Sequence, residues 1–241
     1  MAHNYTITFR SLRSSTTDAP YVVTIGGGTE STIALKPAAS PFVTEEGDDE
    51  DVFCPVRTQT GYIRIVDDGY ALDGVTPFDW KDLIPLTDTA RPVTLTQGGT
   101  VLWQGFMQSQ TFSGVLYGNP QEREFPIQCV LSILNGSDIN YQQTAIQNFA
   151  YLLKQIVDSI PSARRPTAFY IQGGGDALVW LRKCIDWQNF VAEEDGGLAA
   201  RFTMFECLED LCSFWGWTAR TMGTGMYLTC ADDDAEEDWL H

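Results

Sequence analysis

The 241-residue chain is 44% hydrophobic and 12% aromatic, which supplies a core and excludes a wholly disordered polymer. Its formal net charge is −17, from 32 acidic and 15 basic residues. That balance argues against a bare nucleic-acid backbone as ligand, because such binding needs clustered lysine and arginine.

The first ~135 residues alternate apolar and polar side chains between turn-rich segments, the pattern of short strands. Tyr5–Phe9, Tyr21–Ile25 and Ser31–Lys36 are the first three candidates. Pro37–Pro41, with the acidic run through Asp51, reads as a long loop. Val52–Arg57 and Tyr62–Val66 read as a strand pair around Thr60-Gly61, and Gly69–Asp79 as loop. Trp80–Ile84 reads as one helical turn ended by Pro85. Pro92–Thr96 and Val101–Met107 face each other across Gln97-Gly98-Gly99, a strong hairpin signal. Thr111–Val115 and Glu124–Ile133 extend the strand pattern until Asn135-Gly136 turns the chain.

Beyond Asn135 the periodicity changes. Ile146, Phe149, Ala150, Leu153, Val157 and Ile160 define an amphipathic helix from about Thr144, stopped by Pro161. Thr167–Ile171 reads as a strand. Gly173-Gly174-Gly175 leads to Asp176 as N-cap of a helix carrying Leu178, Leu181, Cys184 and Ile185. Glu193–Gly197 reads as a loop. Thr203 and Glu206 have capping-box spacing, and Met204, Cys207, Leu208, Leu211 and Trp215 form one apolar stripe behind them. Gly216 ends that helix, and Trp217–Met222 and Met226–Cys230 form a hairpin about Gly223-Thr224-Gly225. The expected class is α+β: a β-rich barrel- or sandwich-like domain over 1–135, a smaller α+β domain over 136–230, and an acidic tail over 231–241.

Two acidic runs, Glu45–Asp51 and Asp232–Asp238, hold twelve of the 32 acids and leave 20 against 15 bases elsewhere. Both read as solvated segments, since neither has the spacing of a calcium loop. Six cysteines (Cys54, Cys129, Cys184, Cys207, Cys212 and Cys230) occur without a C-x-x-C pair, which fits free thiols. With His3 and His241 at the ends, no metal site and no histidine-dependent catalysis is expected. Gly26-Gly27-Gly28 and Gly173-Gly174-Gly175 lack a phosphate-loop pattern and read as turns. Glu122 with Glu124, or Glu206 with Asp210, are the carboxylate pairs a glycosidase would draw on. Trp80, Trp103, Trp180, Trp187, Trp215 and Trp217 would stack on sugars if exposed, and belong to the core otherwise. No run of about 18 apolar residues occurs, so no transmembrane helix is expected. The Met1–Thr6 start lacks the basic-then-apolar pattern of a secretory signal.

Three segments resemble prophage tail proteins of the baseplate or tail-tip hub. Val52–Ile63 is similar to that family's aromatic, proline, valine-arginine and glycine segment before a strand. Leu102-Trp103-Gln104-Gly105-Phe106-Met107 with Phe112 resembles its W-x-G hairpin. Phe205–Trp217 and the following hairpin resemble the helix that closes its first module. The resemblance implies β-barrel-like domains with an inserted α+β unit, which associate as rings with themselves and with other tail proteins. It implies a structural, non-enzymatic role in a virion tail after synthesis in the host cytoplasm, with no cofactor and no catalytic residue. Hub proteins are usually much longer, so the chain is expected to correspond to their N-terminal region. Two rivals remain from the residues themselves: a carbohydrate- or cell-surface-binding module using Trp80 or Trp103, and a glycoside or peptidoglycan hydrolase.

Overall fold

A computed structural model describes residues 3–11, 18–28, 31–46, 54–109, 120–138, 146–172, 179, 182–186, 191–193 and 199–230. The chain forms two compact units, Met1–Gly47 with Gln59–Cys129, and Asp48–Thr58 with Val130–His241. Among the described residues no helix is long and apolar enough to cross a membrane.

The first unit is one eight-stranded sheet. Its strands are β1 (Asn4–Phe9), β2 (Tyr21–Ile25), β3 (Thr32–Ala34), β4 (Pro37–Glu46), β5 (Gln59–Asp67), β6 (Pro92–Gln97), β7 (Thr100–Met107) and β8 (Gln121–Cys129). They lie in the order β3-β1-β2-β6-β7-β8-β5-β4. Only β1 and β3 run parallel, and every other neighbouring pair is antiparallel. The two edge strands, β3 and β4, are separated in sequence only by Leu35 and Lys36. Leu35 N donates to Thr6 O on the β1 side and Val66 N donates to Lys36 O on the β5 side. The sheet therefore rolls until both edges meet at this link, but no ladder joins β3 to β4. It is an open rolled sheet and not a closed barrel. Period-two alternation fills its interior: Ile7, Val23, Ile25, Ile63, Ile65, Val93, Phe106, Phe125 and Ile127 are all fully buried.

Three expectations about this unit are corrected. Pro37–Glu46 is a strand and not a loop. Proline and acidic residues are tolerated there because β4 is an edge, and its register shifts between Pro37 and Phe42. Tyr62–Val66 does not pair with Val52–Arg57, because β5 lies between β4 and β8. Val56 instead makes a parallel bridge to Ala219 inside the second unit, with Arg57 N donating to Ala219 O and Ala219 N donating to Pro55 O. The strand expected through Ile133 ends at Cys129, and Ser132–Gly136 turns as a 3-10 helix.

The second unit contains β9 (Ile146–Asn148), α1 (Phe149–Ser159), β10 (Ala168–Gln172), β11 (Cys184–Asp186), β12 (Val191–Glu193), β13 (Ala199–Arg201), α2 (Met204–Trp215), β14 (Trp217–Met222) and β15 (Gly225–Cys230). β10, β15 and β14 form a three-stranded sheet, while β9 pairs with β11 and β12 with β13. α1 starts later than expected because Ile146–Asn148 extends to pair with β11, and the Asn148 side chain then caps the helix by accepting from Tyr151 N at 2.8 Å. For the same reason Cys184 and Ile185 are strand and not helix. Glu193 likewise closes β12 and is not yet loop.

α2 is capped as its sequence predicts. Thr203 Oγ1 accepts from Glu206 N at 3.2 Å, and the Glu206 carboxylate accepts from Thr203 N at 2.7 Å. Gly216, at φ 66°, ends the helix by donating to Cys212 O and Ser213 O. Phe149, Leu152, Ile156 and Val157 of α1 are buried, as are Cys207, Leu208, Leu211 and Cys212 of α2. Phe149 makes an edge contact with Trp217, their rings 5.7 Å apart. Thr111–Val115, the helix from Asp176 with its Gly173-Gly174-Gly175 lead, residues 194–197, Trp180, Trp187, His241, residues 48–53 and the 231–241 tail lie outside the described residues.

Candidate functional site

The sequence-predicted residues are distributed over several places, and most have structural work. Trp103 is only 7% exposed, so it offers no platform to a sugar. Its ring meets Phe42 edge-on at 5.4 Å and lies over Gly105, where an added Cβ would stand 2.4 Å from Trp103 Cη2 and 2.1 Å from Gln128 O. On a strand, residues i and i+2 share a face, so an indole folded along β7 requires glycine two positions on. This explains the W-x-G motif as packing.

Trp80 is engaged as well. The Arg123 guanidinium sits 4.3 Å from its ring centroid and also pairs with Asp67. Asp67 occupies the inward position after Gly61, Ile63 and Ile65 on β5 and is 4% exposed. The rim of this core is therefore closed by an ion pair under an indole. Nothing in the sequence flags Asp67 as inward except its place in the alternation. A buried cation, Arg91, lies over the Tyr5 ring. It donates to His3 O at 2.8 Å, Gly26 O at 3.3 Å and Asp82 O at 2.7 Å. Burial first, and then the nearby Asp82 charge, raise the Tyr5 hydroxyl above its ordinary pKa.

Gly26-Gly27-Gly28 is a backbone contact and not an anion cradle. Gly26 N donates to Pro92 O, and Gly28 N to Asn4 Oδ1. Gly27 has φ 93° and passes so close to Ala90 O that a Cβ would stand 2.4 Å from it. Glu124 pairs with Arg64 at 2.7 Å on the solvent face of β8, which it shares with the exposed Glu122. Glu206 is held in the cap of α2.

Asp210 lines a cleft of about 580 Å³ in the second unit with Lys183, Cys184, Ile185, Asp186, Leu211, Phe214 and Trp215. Burial, and secondarily the Glu206 charge, raise the Asp210 carboxyl above its ordinary range. Phe214, 74% exposed, stands on the lip. A second cleft of about 480 Å³ is lined mainly by apolar side chains of α1 and β10. The thiols of Cys207 and Cys212 are pushed up to about 12 by burial, which makes them inert packing groups. Among the described residues no group of three or more histidine, cysteine or acidic side chains is placed to hold a metal ion.

By sequence the chain matches no known protein family and no curated protein. Among the solved structures that resemble it are two tail proteins. One is the tail protein from Neisseria meningitidis MC58, at 10% identity and a TM-score of 0.45, covering 86% of this chain and 50% of that one. The other is the 43 kDa tail protein of prophage MuSo2 from Shewanella oneidensis, at 14% identity and a TM-score of 0.45, covering 90% and 56%. The chain thus spans about half the length of the solved proteins it is similar to.

Proposed function

We propose that this chain is a structural component of a phage-like tail, of the baseplate or tail-tip hub type, working through protein–protein interfaces and not through turnover. The observation that carries the reading is the use made of the segments that resemble the tail family. Trp103 and Gly105 wedge β7 against β8. The Thr203-capped helix and its hairpin supply much of the second unit's core. Residue types that carry the resemblance are committed to shape, and the candidate acids Glu124 and Glu206 are committed to an ion pair and a cap.

Ring assembly needs a surface that meets a different surface of the next copy under rotation, with closure fixing the copy number. Mass photometry of the chain, alone and mixed with the tail proteins encoded beside it, tests the reading. Discrete closed oligomers or stoichiometric co-complexes support it. A chain that stays monomeric with every tail protein supplied, at micromolar concentration, contradicts it.

A further inference from the structure

The connection from β5 to β6 runs 24 residues and contains one 3-10 turn, Trp80–Leu83. Connections of that length in compact units are uncommon and usually functional. Side-chain hydrogen bonds pin this one at several points. Asp67 Oδ1 accepts from Gly69 N, Asp68 Oδ1 from Tyr70 N, and Asp79 Oδ1 from Lys81 N. Asp73 accepts from Val75 N, Thr76 N and Thr76 Oγ1 at 2.6–2.9 Å. Ala71, Phe78 and Leu83 bury themselves in the first unit, Phe78 edge-on against Tyr5.

The same segment exposes Tyr70 (48%), Leu72 (52%), Val75 (77%) and Leu86 (96%). These are four of the eleven exposed large apolar side chains among the described residues, so apolar exposure is concentrated here. A segment anchored this firmly could have presented polar side chains at no cost to its fold. Fixed apolar projections lose little conformational freedom when covered, which is the property of an interface anchor.

Charge decides what covers them. Residues 69–90 carry four exposed acids, Asp73, Asp79, Asp82 and Asp88, against the single base Lys81. The hydrogen bonds to Asp73 hold its carboxyl at a pKa of about 2, so its charge persists at any physiological pH. A second copy of a chain with net charge −17 would bring like charge to this rim, as would an anionic membrane. We propose that the 69–90 segment is a docking knob for a separate protein, one that offers an apolar pocket rimmed by lysine and arginine. This rests on the tail reading above for where the partner is sought.

The test titrates the full chain against each purified tail protein encoded beside it, by biolayer interferometry at about 50 mM and about 300 mM salt, where screening differs strongly. The variants are Val75→Ser with Leu86→Ser, and Asp82→Lys, each first shown to unfold at the wild-type temperature. One tail protein is expected to bind the wild type, to bind the double variant at least tenfold more weakly, and to associate several-fold more slowly with Asp82→Lys at low salt only. Full binding by the double variant, or binding insensitive to salt, overturns the knob and leaves the tail reading intact. Absence of binding to every tail protein overturns the knob, and overturns the tail reading as well only where the chain also stays monomeric. Self-association lost in the double variant assigns the knob to a second copy and overturns the proposal as well.

Discussion

Gly105→Ala in β7 perturbs the first unit where its packing leaves least room. The new Cβ would meet Gln128 O at 2.1 Å and Trp103 Cη2 at 2.4 Å. That oxygen is main chain of β8, so reaching ordinary contact requires the β7–β8 ladder to open by over an ångström. The ladder has only three paired positions, Gly105–Cys129, Phe106–Gln128 and Met107–Ile127. The indole must also leave its seat against Phe42. Reduced freedom of the unfolded chain favours alanine by about 0.4–1 kcal/mol. Overpacking opposes it by about 1–3 kcal/mol, and each ladder bond lost adds about 1 kcal/mol. The net expectation is destabilisation by about 2–4 kcal/mol. Hydrogen exchange of a peptide covering Thr100–Met107, read by mass spectrometry, reports it as a matching loss of protection. Gly136→Ala, where an added Cβ meets nothing within 4 Å, serves as the control and keeps wild-type protection. Equal protection of Gly105→Ala and the wild type would refute the wedge.

Arg123→Met leaves the Asp67 carboxylate buried without its cation and removes the partner of the Trp80 ring. A loss of about 3–5 kcal/mol follows, and urea unfolding that shifts by less than 1 kcal/mol would show the pair to be dispensable. Thr203→Ala removes the α2 cap and Gly216→Ala forces a side chain into the left-handed C-cap, each costing about 1 kcal/mol. Thermal unfolding of the two single variants and the double variant checks both size and additivity, since the two ends share no partner. Iodoacetamide at pH 8 is expected to label the exposed Cys184 and to spare Cys207 and Cys212, with peptide mapping as the readout. Burial raises both sheltered thiols above their unfolded value, so the stability they contribute is complete below about pH 8.5 and is lost as pH rises from there toward 12. A Cys207→Ala, Cys212→Ala variant should flatten that alkaline slope. Equal labelling of all three cysteines contradicts the burial argument.

Features fixed by neighbours in sequence were legible before the structure. The Gly98-Gly99 hairpin, the Thr203–Glu206 box, the Gly216 stop and the β14–β15 hairpin all rest on interactions spanning a few residues. Features fixed by distant partners were not. Pro37–Glu46 has the composition of a loop and becomes a strand because β5 offers it a ladder and the edge position forgives its prolines. Cys184 and Ile185 continue a helical spacing, yet they extend because β9 pairs with them. Val56 reads as part of a local strand pair and instead bridges to Ala219, over 160 residues away. At the level of sites, Trp103 advertises itself as an aromatic platform, and only its burial shows it to be a wedge. Asp67 and Arg91 carry no motif at all, because a buried charge is recognised by what surrounds it. Of the proposed apolar knob on residues 69–90, the sequence showed only a loop rich in Gly and Asp over Gly69–Asp79 and one helical turn over Trp80–Ile84. Its fixed shape comes from side-chain bonds that the sequence permits without requiring.

Quantitative mass spectrometry of purified tail particles, produced from a host carrying the chain and its neighbouring genes, tests the proposed structural role most directly. A tail component is expected in the intact particle at a fixed, small integer ratio to the other tail proteins, and tails are expected to fail to assemble when its gene is deleted. A chain absent from the particle, with normal tails forming without it, contradicts the account.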